Sequence, residues 1–230
     1  MKTLTRWLRN ILIFFFTSTI LSVVILKYIP VYITPLMLIR AVESVIAGET
    51  PVISHEWVPL EQISHNLPQA VIASEDNLFL KHNGFDLEQI QKAQIEAQEG
   101  KRQRGASTIS QQTARNVFLW QKRSWLRKGL EAYFTFLIEA IWGKERIMEV
   151  YLNSIEMGKG IYGAKAAADI NFNTTPDKLT KQQSALIAVS LPNPLKRDSA
   201  HPTPKMRKMQ QTILKRMNQI DQFPRDICAR

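Results

Sequence analysis

The sequence reads as a mainly α-helical domain held behind a single N-terminal transmembrane helix. Three features point there: an uncharged apolar run near the N-terminus, apolar residues recurring at helical spacing along the rest of the chain, and the scarcity of alternating strand patterns. Lys2, Arg6 and Arg9 precede residues 11–26, sixteen residues without a charge. Lys27 can extend its ammonium outward, so the apolar stretch continues through Ile29 towards the roughly 20 residues that cross a bilayer. A cleavable signal peptide is the competing reading, but KYIPVYITPLM lacks the small-x-small pattern that should follow its apolar core. The chain divides accordingly into a cytoplasmic N-terminus (1–10), an anchor (11–29), a membrane-proximal segment (30–59) and a folded domain (60–230). Basic residues ahead of the anchor favour a cytoplasmic N-terminus, a bias moderated by Lys27 and Arg40, and place the remainder outside the cytoplasm.

Behind the anchor, residues 31–39 (VYITPLMLI) stay apolar between two prolines. They read equally as a segment resting on the membrane and as a buried start of the domain. PVISHEWVPL is the best strand candidate. Pro68 suits the first turn of a helix that carries Ala70, Val71 and Ala73 and ends near Glu75 and Asp76, ahead of the turn signal Asn83-Gly84. Leu87, Ile90 and Ile95 mark another helix. Leu130, Phe134, Leu137, Ile138 and Ile141 recur at i, i+4, i+7, i+8 and i+11, one apolar face of a longer helix. Further helices are expected over 144–155 and 176–191.

The 230 residues, 45% hydrophobic with 9 Gly and 11 Pro, suffice for one packed domain plus an appendage. The formal net charge of +10 calls for a polyanionic partner. An extracytoplasmic domain makes nucleic acid an unsuitable one and leaves acidic lipid headgroups or lipid-linked phosphates. The single cysteine, Cys228, excludes an intrachain disulfide.

Three clusters carry candidate chemistry. In VIASEDNLFLKHNGFD, a carboxylate at the end of a helix feels the negative end of the dipole and a second carboxylate beside it, and both disfavour ionisation. Glu75 can therefore serve as a general base; the alternative is an exposed acidic pair with a core Phe79 and a surface His82. In GASTISQQTARN, Thr108 and Gln111 fit a capping box that starts a helix with Ile109, Val117 and Phe118 on its apolar side. Thr108, Gln112, Arg115 and Asn116 then line one face with groups suited to sugar hydroxyls and phosphate oxygens. In KRSWLRKGLEA, Arg123, Arg127, Lys128 and Glu131 lie within about two turns, read either as a solvated charge run with an i, i+4 salt bridge or as a phosphate clamp with a carboxylate inside it.

EDNLFLKHNGFD, RGASTISQQTARNVFLW, RSWLRKGLEA, KERIMEVYLNSIEMGKGIYGAKAAA and LIAVSLPNPL stand in the order of the motifs of the peptidoglycan glycosyltransferases, glycosyltransferase family 51, which the chain resembles over roughly residues 60–204. The resemblance implies a lysozyme-like, mainly α catalytic domain with a small membrane-proximal lobe, in the monofunctional form with no transpeptidase domain. It implies polymerisation of lipid II into β-1,4 glycan strands with release of undecaprenyl pyrophosphate, at the bacterial inner membrane with the catalytic domain periplasmic. By motif position, Glu75 resembles the general base and Glu131 the second essential glutamate. Arg115, Arg123, Arg127 and Lys128 resemble the residues around the pyrophosphate. Asp76, Phe79 and His82 complete the first motif, and Ser107, Thr108, Gln111, Gln112 and Asn116 match the second. A divalent cation, Mg or Mn, is expected with the pyrophosphate, and lipid II, the growing lipid-linked glycan, the membrane and proteins of wall synthesis or division are the expected partners. Arg115 stands where lysine is common, which keeps the charge but changes a point donor into a planar fork. Asn171 precedes Phe172 where a Tyr-Phe pair is usual. Two rival readings are a glycan hydrolase, which must protonate a poor leaving group and gains little from four cations, and a non-catalytic wall-binding scaffold, which needs no Glu75.

Overall fold

The computed structural model describes residues 2–100 and 107–224; Gly105, Ala106, Cys228 and the side chain of Lys2 lie outside what it describes. Its architecture is mainly α, as expected. Helix α1, Lys2–Tyr28, is 27 residues long, about 40 Å at 1.5 Å per residue, and it is long and apolar enough over Thr3–Tyr28 to cross a membrane. Its outward side chains include Ile11, Leu12, Phe14 and Leu21.

The C-terminal part of α1 is fastened to the domain. Val23 and Val31 are buried in the main core. Trp142 Nε1 donates to the Val23 carbonyl at 2.7 Å, and Arg146 donates to the Leu26 carbonyl at 2.8 Å and to that of Ile29 at 2.6 Å. The last carbonyls of a helix have no partner within it, so a cation here both satisfies them and complements the dipole. Helix α2, Pro35–Ile46, is capped by the Thr34 hydroxyl with proline at its first position. The apolar segment 31–39 divides by face: Val31, Leu36 and Met37 are buried while Tyr32, Ile33 and Leu38 are exposed.

The strand expected in PVISHEWVPL is present as β1, Ser54–His55. It pairs parallel with β3, Ile161–Tyr162, which also pairs antiparallel with β2, Glu156–Gly158. These last two strands are too short to show an alternating pattern. Asn153 ties the segment at and after β1 to α7: its carbonyl meets His55 Nε2 at 2.9 Å, and its side chain accepts from Val58 N and donates to the carbonyls of Val58 and Glu149, each at 2.9 Å.

Helix α3, Asn66–Glu75, is buried from Leu67 to Ala73. It packs on α9, Lys181–Ser190, where Ala70, Ala73, Ala185 and Ala188 meet in one cluster and allow close approach. Helix α10, Pro204–Met217, closes that cluster with Met206, Ile213 and Met217. The continuous helix expected over 176–191 is broken: a short 3-10 turn, Pro176–Lys178, precedes an extended Leu179, and Thr180 opens α9 with a capping box to Gln183. Helix α4, Leu87–Gln98, forms as expected, but none of its residues is buried, and Leu87 and Ile95 stay exposed.

The remaining helices frame the site: α5, Ile109–Phe118; α6, Trp125–Ile141; α7, Gly143–Ser154; and α8, Gly163–Phe172. The apolar stripe on α6 is inside, with Phe134, Leu137 and Ile138 buried, and Phe118 stacks on Phe134 at 4.4 Å between ring centroids. Asn171 donates to the Ser199 hydroxyl at 2.9 Å, so the unusual residue before Phe172 has a polar partner of its own.

Gly163 lets α8 begin against the backbone of α7. Its φ is +80°, and a Cβ there would stand 2.6 Å from the Asn153 carbonyl oxygen. We expect Gly163→Ala to lose about 2–4 kcal/mol from left-handed strain and overpacking, read by denaturant unfolding.

Candidate active site

Glu75 is the last residue of α3, and Asp76 leaves the helix in an extended conformation (φ −160°, ψ 78°) that sends the two neighbouring carboxylates in different directions. Asp76 turns inward and is 6% exposed. One of its oxygens accepts from Ile109 N at 2.9 Å, and both take His82 Nε2, at 2.9 and 3.0 Å. Because Gly84 N donates to His82 Nδ1 at 3.1 Å, the ring proton belongs on Nε2 and is donated to Asp76. Ile109 is the first residue of α5, so Asp76 holds a carboxylate at the positive end of that helix.

The loop between Asp76 and α4 closes on the same helix. Thr108 Oγ1 donates to the Gly84 carbonyl at 2.7 Å, and both halves of the Thr108–Gln111 capping box are formed. Gly84 has φ +91°, and a Cβ would lie 2.8 Å from Thr135 Cγ2. Phe79 is fully buried, with Lys144 Nζ 4.7 Å above its ring. The reading of Glu75 and Asp76 as an exposed pair beside a surface His82 is therefore incorrect. Asp76, Phe79, His82, Thr108 and Gln111 are committed to one another or to the core; they carry the site from behind and do not form its wall. Ser107, ahead of the helix, is half-buried.

Glu75 faces α5. Its Oε2 accepts from Gln112 Nε2 at 3.1 Å and its Oε1 from the Ser74 hydroxyl at 3.3 Å, while Gln112 Oε1 accepts from Tyr151 OH at 3.3 Å. Burial pushes the Glu75 carboxyl above the ordinary glutamate range; donation from Gln112 and Ser74 and the charge of Arg197 offset this in part, and Asp76 adds to it. Arg197 donates to the Val189 carbonyl at 2.8 Å, which holds it on the α9 side of the base.

Three residues after Gln112, the same helix presents Arg115. Burial pulls its guanidinium down, Glu131 pushes it back up, and Arg127 and Arg123 pull it down again. These charges thus sit in one field. Glu131 is 1% exposed; Arg127 donates to one of its oxygens and Lys128 to the other. A surface salt bridge is excluded, because the Arg127 side chain is itself 9% exposed. Arg115, Arg123, Arg127 and Lys128 against Glu131 leave three positive charges in excess (four minus one). Nε of Arg115, Nε of Arg127, Nδ2 of Asn116 and Nε2 of Gln121 are buried without a hydrogen-bond partner. Buried donors normally find acceptors, and the two arginine nitrogens belong to the charged group around Glu131.

The structure thus gathers Glu75 and Gln112 at one end of α5 and Arg115, Asn116, Arg127, Lys128 and Glu131 at the other. Tyr151, Arg197 and Ser74 belong to the same site and were missed from the sequence. Tyr151 and Arg197 lie far from Glu75 along the chain and outside any charge or cap pattern that marks them.

Known proteins resemble this chain over most of its length. Residues 43–218, well over half the chain, match the family model described as Transglycosylase. A protein of Bacteroides thetaiotaomicron named biosynthetic peptidoglycan transglycosylase is 59% identical over 223 residues, covering 97% of this chain and 90% of its own length. Proteins of the same name from Bdellovibrio bacteriovorus and Caulobacter vibrioides are 51% and 53% identical, over 84% and 83% of this chain and 77% and 82% of their own lengths.

Removing the Asp76 carboxylate orphans two donors at once. We expect Asp76→Ala to lower stability by about 2–4 kcal/mol in denaturant unfolding, with Asp76→Asn milder because its one carbonyl oxygen still accepts.

Proposed function

The chain belongs to the transglycosylase family and is a peptidoglycan glycosyltransferase, polymerising glycan strands for cell-wall synthesis, and from that premise we propose how its side chains carry out the transfer. The substrate is lipid II and the growing lipid-linked glycan. Glu75 takes the proton from the 4-hydroxyl of the acceptor N-acetylglucosamine as that oxygen attacks C1 of the donor N-acetylmuramic acid with inversion. The C1–O bond to undecaprenyl pyrophosphate breaks and the electron pair leaves with the phosphate. A pyrophosphate is already a good leaving group, so it needs charge compensation more than a proton, and four cations supply that.

One observation carries this reading: Glu75, kept basic by burial, bonds to Gln112 of α5, and one turn further along that helix stands Arg115, its Nε buried without a partner, in the field of Arg127 and Glu131. Gln112 and Arg115 are three residues apart, about 4.5 Å along the axis, which suits a base and a leaving group on opposite sides of one sugar carbon. Glu131 holds Arg127 and Lys128 in place; its own oxygens are occupied. A hydrolase would need an acid beside the leaving oxygen, and the one carboxylate among the cations on that side, Glu131, is ion-paired through both oxygens.

The membrane side follows from α1. We place it as a single-pass anchor in the bacterial cytoplasmic membrane with the catalytic domain on the periplasmic face, where lipid-linked substrate would approach the clamp. Among the described residues no three His, Cys, Asp or Glu side chains are grouped to hold a metal, and Glu131 spends both oxygens on cations. The donor set does not fit a resident metal centre. The divalent cation we propose, Mg or Mn, binds with the substrate pyrophosphate instead.

With purified protein and lipid II, Glu75→Gln should lower polymerisation by about 10²–10⁴-fold and leave lipid II binding intact. Equal polymer from both proteins, or shortening of preformed glycan by the wild type, would overturn the assignment. Since the base must be ionised and burial disfavours its charge, activity should fall away on acidification above the ordinary glutamate value of about 4.3. Excess chelator should lower polymerisation without moving the melting temperature of the substrate-free protein; full activity in chelator would remove the cation from the proposal.

A further inference from the structure

Gln112 is the one side chain in contact with the base that has two chemically opposite ends. Its amide nitrogen faces Glu75 and its amide oxygen faces Tyr151. The two orientations of a primary amide have nearly the same shape, so packing alone does not choose between them. The reversed orientation sets the amide oxygen against a carboxylate oxygen of Glu75, and the base loses a donor.

Tyr151 stands at the other end of this choice. It comes from α7, which packs against α5, and it is fully buried. Burial, together with the charges of Glu75 and Asp76, raises its phenol well above the ordinary range, so its hydroxyl stays protonated and keeps a hydrogen to donate. The Gln112 oxygen is the acceptor of that hydrogen. If the amide turned over, the phenolic hydrogen would lose its acceptor in a place water does not reach, which is a costly outcome.

We propose that Tyr151 is a positioning residue for glycosyl transfer: its hydroxyl selects the amide orientation of Gln112 that donates to Glu75. Tyr151 touches neither sugar nor phosphate in this scheme and acts through Gln112. Gln112, which the sequence marks as a substrate contact, spends both ends of its amide inside the protein. One carboxylate oxygen is thereby tied to α5 and the other to Ser74, which fixes the plane of the carboxylate towards the acceptor hydroxyl. The inference rests on Glu75 being the base, and Glu75→Gln tests that separately.

Tyr151→Phe removes one oxygen and keeps the ring that fills the core. We expect turnover to fall about tenfold, the scale of one hydrogen bond, with the KM for lipid II changed less than about twofold. The acidic limb of the pH–rate profile should move to higher pH, because Glu75 loses a donor that favours its ionised form. Part of the lost rate should return on the alkaline side of the shifted limb, which mere loosening of the core would not produce. Gln112→Leu should show the same limb shift, and adding Tyr151→Phe to it should move the limb no further. An unshifted limb in Tyr151→Phe, or equal and additive shifts in the double variant, would overturn the positioning role while leaving Glu75 as base. Were Tyr151→Phe not to fold, an unshifted limb in Gln112→Leu alone would overturn it.

Discussion

The carboxylate of Asp76 at the N-terminus of α5 is the contact on which the site depends. It accepts from Ile109 N and from His82, and so locks the end of α3, the following loop and the start of the helix that carries Gln112 and Arg115. A carboxylate at a helix N-terminus is favoured by the aligned peptide dipoles as well as by its hydrogen bonds. With that joint closed, Glu75, one residue earlier, has no freedom in where its backbone sits relative to α5. Burial of its carboxylate then follows from α9 on one side and α5 on the other.

At the far end of α5 the electrostatics run the opposite way. A buried carboxylate, Glu131, is surrounded by more cations than it can neutralise, and the Nε atoms of two of them, Arg115 and Arg127, have no partner. Burying charge is costly, and a buried pair contributes little net stability by itself. The arrangement makes sense as preorganisation: donors are aimed in advance at a place where negative charge develops, and no reorganisation is needed when the leaving group departs. Arg115 in place of the more common lysine fits this, since a planar guanidinium tolerates partial desolvation and can hold two oxygens at once. In the proposed transfer the two ends of α5 thus divide the reaction, with the base Glu75 held against one and the cations gathered at the other.

Helix α1 is joined to this scaffold through side chains of α6, α7 and the residue between them. Trp142, just after α6, donates to the Val23 carbonyl of α1, Arg146 on α7 donates to that of Leu26 in its last turn, and Thr19 meets the hydroxyl of Tyr133 at 2.8 Å. Arg146 also lies 5.0 Å from the Trp57 ring and pairs with Glu149. Helix α1 is therefore held against α6, the helix that presents Arg127, Lys128 and Glu131, and against α7.

Much of this was legible in the sequence wherever the information is local. The capping box at Thr108, the stripe from Leu130 to Ile141, the helix ending at Glu75 and the turn at Gly84 all follow from spacing, because helical neighbours three and four residues apart are fixed by the chain itself. The break at Leu179 was missed because Thr180 competes locally for the start of α9, and on α4 Leu87 and Ile95 stay exposed while Ile90 is only half-buried. Partner choice was not legible. Gln112 is 37 residues from Glu75 and 39 from Tyr151, and Asp76 is 33 from Ile109. The sequence by itself determined most of the helices, an N-terminal helix apolar enough to cross a membrane, the family and the set of charged and polar side chains available for chemistry. Only the tertiary structure decided which of them face a ligand and which face each other, because hydrogen-bond pairing in a packed interior depends on how helices distant along the chain come to rest together.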